Sequence, residues 1–331
     1  MRLFKAIFLG ICFCGPTLAS AQETCAGNDL IAALPDEPRN ALIAEAEAMP
    51  YAKGLLWRAT RDETVIDLFG TYHFKHQDTD AHLNRLKPMI EAADTVFLEI
   101  SNDDQSAMQR RLAENPGMMF ITEGPTLPDL LGPEDWPLFS DEMQARGIPG
   151  VLAAKFKPLW ATLMLGIGPC ESRSGAFEGG GIDTRVGEYA GTLGNPSRSL
   201  EDFADLLALL DRLPLGDQLD MIRLSLAWPG DADDLSYTIR SRYLAEQVGV
   251  TLVFSEYISA EFGGAAASED FDQLMALLLD KRNSDWMDVI RPELSGAARL
   301  FIAVGAGHLP GDTGLLRLLE NEGFAIERLP L

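Results

Sequence analysis

Cations are scarce in this 331-residue chain: 27 lysines and arginines stand against 50 aspartates and glutamates, a formal charge of −23. With no Lys/Arg run anywhere, the surface repels phosphate backbones and anionic lipid, so neither nucleic acid nor a membrane surface is an expected partner. Long apolar runs are also missing. The most apolar stretches, Ala6 to Phe13 and Pro158 to Pro169, fall short of the ~20 residues that span a bilayer. No linker, low-complexity block or solenoid repeat is visible, and 47% hydrophobic with 23% charged is a soluble globular composition, not disorder, collagen or coiled coil. Three signatures are absent as well: His-Glu-x-x-His, Gly-x-Ser-x-Gly and Gly-x-x-x-x-Gly-Lys. Common zincins, elbow-type serine hydrolases and P-loop enzymes therefore drop out, and Gly179-Gly180-Gly181 reads as a flexible loop.

Cysteine is rare too, with four in all. Cys12 and Cys14 lie in a segment, Met1 to Ala21, with a basic start (Arg2, Lys5), an apolar middle and a small-residue end, Ala19-Ser20-Ala21. This is the pattern of a secretory signal peptide, and it implies a periplasmic or secreted protein with no stable membrane anchor after cleavage. Residues 22–331 are expected to form a single domain. An exported chain that keeps only Cys25 and Cys170 is expected to join them in a disulfide, two unrelated thiols being the alternative. Their spacing is wrong for a zinc pair.

Hydrophobic patterning places strands at Thr64 to Phe69, Thr95 to Ile100, Arg198 to Glu201, Arg299 to Val304 and Ala325 to Leu329. Helices are expected at Ala81 to Ala93, Phe203 to Leu213, Phe271 to Asp280 and Gly314 to Glu322, the last ended by Gly323. Residues 103–181, rich in Pro, Gly and Met, suggest a helical insertion or lid, with Pro158 to Pro169 as a buried helix. The fold class is α/β, a mixed sheet flanked by helices.

Gly70-Thr71-Tyr72-His73 and Gly305-Ala306-Gly307-His308 repeat one pattern, Gly-x-x-His, each directly after an apolar strand, and they hold half of the four histidines. Glycine lets the chain turn sharply where a strand leaves the sheet, and a neutral imidazole presented there can bind a metal or move a proton. Glu99 closes one strand and Glu201 follows another, so both are candidate ligands or general bases. Glu201 also reads as an N-terminal helix acid, and Glu99 as a buried structural one. His76 and His82, on or near a helix, are expected to be exposed.

The chain resembles the TraB/PrgY/GumN family, through Phe69-Gly70-Thr71-Tyr72-His73, Phe97-Leu98-Glu99, Lys157-Pro158-Leu159-Trp160, Gly181-Ile182-Asp183, Leu200-Glu201-Asp202, Arg282-Asn283 with Trp286, and Val304-Gly305-Ala306-Gly307-His308-Leu309-Pro310-Gly311. Tyr72 stands where an aliphatic residue is common in that family. The resemblance implies that the two His motifs meet, and relatives of the Tiki type are regarded as metal-dependent proteases. By that resemblance His73, His308 and Glu99 form a metal site, and Arg282 stabilises an oxyanion or holds an acid; as a residue after an apolar helix, Arg282 also reads as a helix-end cation. The expected activity is an exported metal-dependent hydrolase, a peptidase using Mn, Co or Zn, with Glu99 or Glu201 taking a proton from water. The alternatives are a non-catalytic binder of a peptide, metal or small molecule, as would suit family members linked to pheromone shutdown, and a His/Glu esterase that needs no metal.

Overall fold

A hairpin starts the sheet: β1 (Leu56–Arg61) pairs antiparallel with β2 (Thr64–Thr71), across a turn in which Asp62 adopts a left-handed φ of 53°. Sequence patterning misses β1, because Arg58 interrupts its apolar run. The structure, a computed structural model, describes residues 25–175, 180–204 and 213–331. The expected signal segment and most of the helix expected at 203–213 lie outside the described residues.

Four more strands complete the sheet: β3 (Thr95–Leu98), β4 (Arg198–Ser199), β5 (Arg299–Gly305) and β6 (Ala325–Arg328), in the order β4-β3-β5-β2-β1-β6. The inner pairs β2/β5, β5/β3 and β3/β4 are parallel, and β6 closes the far edge antiparallel to β1. The sheet is therefore mixed, as expected. The expected β-α-β unit exists, but β2 and β3 are not neighbours, because β5 from far along the chain is inserted between them.

Strands covered on both faces must be apolar at every position, and β5 is buried from Leu300 to Gly305. Its alternate residues feed two cores. Leu300, Ile302 and Val304 pack with Trp286, Leu316 and Leu319 on one face. Phe301 and Ala303 pack with Leu86, Ile90, Ile182 and Val186 on the other. Full burial of each large side chain stabilises the fold by ~1.5–3 kcal/mol, so this central strand dominates the local energetics.

The described helices of seven or more residues are α1 (Asp36–Ala48), α2 (Asp80–Ala92), α3 (Asn102–Glu114), α4 (Leu127–Ala145), α5 (Pro158–Leu165) and α6 (Ile182–Thr192). They continue with α7 (Leu215–Ala227), α8 (Ala232–Leu244), α9 (Val248–Met275), α10 (Arg282–Ile290) and α11 (Leu315–Asn321). Helices α10 and α11 cover the first face of the sheet, and α2 and α6 the second. The expected helical insertion is present, and its helices α4 and α5 share a separate core with α7, which lies beyond the expected boundary. Helix α5 buries Leu159 and Leu165 yet leaves Leu163 exposed, so it is not buried throughout. Apolar residues at Phe271 to Leu279 span the end of α9, whose backbone breaks at Gly264, and the start of the wide turn, Ala276–Lys281, that leads into α10. Their side chains are half-buried or exposed and do not form a core helix. Among the described residues, no helix is long and apolar enough to cross a membrane.

Cys25 and Cys170 are bonded, across 145 positions. The bridge sits over a buried ion pair: Arg240 donates to the Glu171 carboxylate and to the Cys25 carbonyl. A cross-link closing so long a loop restricts the unfolded chain strongly. Replacing both cysteines by serine is expected to lower the unfolding free energy by about 2–4 kcal/mol, read from urea denaturation. An unchanged midpoint would show that the bridge contributes nothing to stability.

Candidate active site

Parallel strands ending side by side open a crevice at their carboxyl ends. Register pairs Thr71 with Gly305, and Leu98 with both Ala303 and Ser199, so β2, β3, β4 and β5 finish nearly level. The residues that follow are His73 after β2, Glu99 after β3, Glu201 after β4 and His308 after β5. Backbone bonds hold the two acids together, since the Leu200 and Glu201 amides both donate to the Glu99 carbonyl. The first and last parts of the sheet are thus neighbours, and both histidines face one carboxylate: Nε2 of His73 lies 3.9 Å, and Nε2 of His308 3.7 Å, from Glu99 Oε1.

Arg282 enters from α10 and joins the set. Its Nε donates to Glu201 Oε2 at 2.9 Å and its Nη2 to Glu201 Oε1 at 2.5 Å, a two-pronged pair that suits the planar guanidinium. The same Nη2 donates to Glu99 Oε2 at 2.7 Å, while Nη1 reaches the Leu278 carbonyl at 3.0 Å and His308 Nε2 at 3.1 Å. Trp286 donates its Nε1 to Glu201, and its ring lies against both Arg282, 4.8 Å away, and the tilted ring of His308, 4.3 Å away. Helical backbone continues through Arg282, so there is no helix end for it to cap, and its side chain points into the histidine crevice.

Each imidazole is held at its Nδ1. His73 Nδ1 donates to Asp183 Oδ2 at 3.2 Å, and His308 Nδ1 donates to Asn283 Oδ1 at 2.7 Å. Each ring therefore directs its Nε2 into the crevice, and a metal-binding or proton-accepting role requires that nitrogen to be unprotonated. Their settings differ: His73 is half exposed at 52%, His308 buried at 5%. For His73, burial acts to lower the pKa, but the Asp183 hydrogen bond and the charges of Glu99 and Asp183 outweigh it and push it up to about 9. For His308, burial dominates and, with the Arg282 charge, holds it down to about 3. Burial would raise the Glu99 pKa, yet His308, His73, Arg282 and the Gly305 amide, which donates to Oε1 at 2.5 Å, bring it to about 2.

Two glycines shape this space. A Cβ at Gly305 would sit 2.9 Å from His73 Nε2 and 3.0 Å from Glu99 Oε1, so the missing side chain leaves open the spot that both atoms face. Gly181 caps the start of α6, and a Cβ there would collide with the His73 carbonyl, which makes it a packing point and not the flexible loop expected of the glycine run; Gly179 lies outside the described residues.

Among the described residues, no three His, Cys, Asp or Glu side chains are gathered tightly enough to hold an ion as they stand. His73 and His308 do both lie close to Glu99 Oε1. Two imidazole nitrogens 3.9 and 3.7 Å from one carboxylate oxygen are donors that would suit a divalent cation once His73 is neutral. The contact from Arg282 Nη1 covers the His308 lone pair, so this fit requires the guanidinium to turn aside.

Neither of the other histidines is exposed as expected. His76 is half-buried and takes the Asp78 amide on its Nδ1, and His82 packs between Phe69 and Tyr243. Asp183 and Asn283 carry no chemical signal of their own in the sequence. Their positions beside Gly181 and Arg282 are the only pointers to them.

Removing the guanidinium from this crevice strands two acids. Arg282→Ala is expected to cost about 3–5 kcal/mol of stability, because breaking a buried pair from one side leaves uncompensated charge. Arg282→Lys keeps the charge and is expected to lose less, which thermal denaturation of the two variants will show; equal losses would mean that the fork geometry contributes nothing.

The TraB/PrgY/gumN family model matches residues 55–328, a span that takes in all four crevice residues, Arg282, Asp183 and Asn283. No curated protein and no solved structure matches the chain. A match over most of the length, with the sequence motifs brought together in one crevice, settles the family: the chain belongs to the TraB/PrgY/gumN family.

Proposed function

We propose that this protein is an exported metal-dependent hydrolase acting on peptides, with His73, His308 and Glu99 holding a divalent ion (Mn, Co or Zn). One observation carries the proposal: the two Gly-x-x-His imidazoles, each fixed through Nδ1, direct Nε2 toward a single oxygen of Glu99. When bound, such an ion supplies Lewis acidity and a water of lowered pKa. The protein's own groups do the rest. Asp183 and Asn283 fix the ring orientations, and Gly305 leaves room at the meeting point. The oxygens of Glu201 are engaged by Arg282 and Trp286 and those of Glu99 by Arg282 and the Gly305 amide, so whichever of the two acids takes a proton from water gives up one of these bonds to do so. Arg282 anchors the two acids, and its Nη1, once turned from His308, is a donor for a developing oxyanion. The disulfide supports the reading of an exported, periplasmic or secreted protein, since bridges persist in oxidising compartments.

A second reading rests on the Arg282–His308 contact: with His308 Nε2 already taken, the site works as a His/Glu esterase without metal. Hydrolysis of a peptide library and of simple esters, with and without added Mn, Co and Zn, separates the two. The metal reading requires stoichiometric ion in the wild type, lost in His73→Ala and in His308→Ala, and activity abolished by chelation. Activity that survives chelation favours the second reading, and specific peptide binding with no turnover under any condition favours a binding protein.

Gly305→Ala gives a further check. Its methyl occupies the space between His73 and Glu99 without removing a ligand, so bound metal and turnover are both expected to fall to background while the thermal midpoint shifts little. Retention of stoichiometric metal in this variant would place the ion elsewhere.

A further inference from the structure

Beside the crevice, on the far side of Glu201, lies a cavity of about 230 Å³. One wall is a single face of α3, where Asp104, Ala107, Met108 and Arg111 follow the i, i+3, i+4, i+7 spacing. The opposite wall is the chain from Glu201 to Ala204, which presents Phe203, and Met118 closes one end. Helix α3 buries no residue in the core, so Met108 has the cavity in place of core packing. Met118 is held by a run that the crevice itself does not use, Lys157-Pro158-Leu159-Trp160: the Trp160 Nε1 donates to the Met118 carbonyl at 3.1 Å and the Lys157 amide to the Met119 carbonyl at 2.9 Å.

The charges around the cavity are unequal in their commitments. Asp104 accepts from the hydroxyls of Ser101 and Ser199, Asp202 accepts from the Ala204 amide, and Glu201 is held by Arg282 and Trp286. Arg111 has no side-chain hydrogen bond or ion pair among the described residues, and it lines the cavity with its donors unused. Two methionines, a phenylalanine and two alanines beside an uncommitted guanidinium suit a group that is apolar at one end and anionic at the other. The volume is below the ~300–1,000 Å³ of pockets that enclose whole ligands. It takes one side chain.

We propose that this cavity receives the apolar carboxyl-terminal residue of a peptide, with the side chain between Met108 and Met118 and the terminal carboxylate on Arg111. This deepens the peptidase reading and rests on it. The last amide bond then lies toward Glu201 and the crevice; water's oxygen bonds to its carbonyl carbon, the C–N bond breaks, and the freed amine leaves with a proton.

The test reads binding, so it is independent of turnover. N-acetyl-leucine and N-acetyl-leucinamide are titrated into the full chain by calorimetry. The acid is expected to bind about tenfold tighter than the amide, the difference made by one charge-assisted pair. Arg111→Ala is expected to bring the two ligands to equal affinity, and Met108→Trp, which fills the cavity from a half-buried position, to abolish binding of both with the thermal midpoint kept. His73→Ala is expected to bind as the wild type does. Binding by the wild type with no hydrolysis of any peptide by the wild type, with or without added metal, would sink the peptidase reading and leave the cavity assignment standing. No binding to the wild type, equal affinity for acid and amide, or undiminished binding to Met108→Trp would overturn the assignment itself.

Discussion

One guanidinium organises the crevice. Arg282 ties Glu99 to Glu201, touches His308 and stacks on Trp286, so it couples the ends of β3 and β4, the turn after β5 and helix α10. Two acids this close repel each other, and only a cation between them makes their shared burial tolerable. Lysine cannot substitute for that arrangement, because a point charge does not reach three groups in a plane. The crevice is therefore less a pair of histidines with helpers than an arginine-centred network against which both histidines are set.

Those histidines are not equivalent, although their motifs look alike. His73 has a charged partner in Asp183 and stands half in solvent; His308 has a neutral amide partner in Asn283 and is closed in by Trp286 and Arg282. A repeated motif has thus been given two electrostatic settings by residues outside it. The half-exposed ring is the one an incoming group meets first.

What the sequence makes legible follows from the range of each cause. β2, β3 and β5 can be read because they are largely buried on both faces and so are mostly apolar, Asp67 of β2 apart, and the strand-end positions of His73, Glu99, Glu201 and His308 come with them. β1 is hidden because Arg58 pairs with Asp67 across the hairpin, a contact that breaks the apolar pattern in both strands. The neighbour order of β2, β5 and β3 depends on pairing between distant segments, which no local period encodes. Asp183 and Asn283 are missed for a related reason: their roles lie in partners 110 and 25 positions away. His82 looks like a surface residue on a helix, and the rings of Phe69 from β2 and Tyr243 from another helix cover it.

The place of β5 in the sheet also sets the order of events during synthesis. Until residues 299–308 emerge, β2 and β3 have no strand between them and each leaves an unpaired edge, the kind of exposed template that invites wrong pairing. Loop closure over so long a separation is slow compared with local helix formation. The growing chain consequently holds an open gap for most of its elongation, and His73 and Glu99 meet no fourth wall during that time. Competence arrives late and at once, when a single strand slots into the gap and brings His308 with it. A crevice built this way has no complete wall until its last strand is in place.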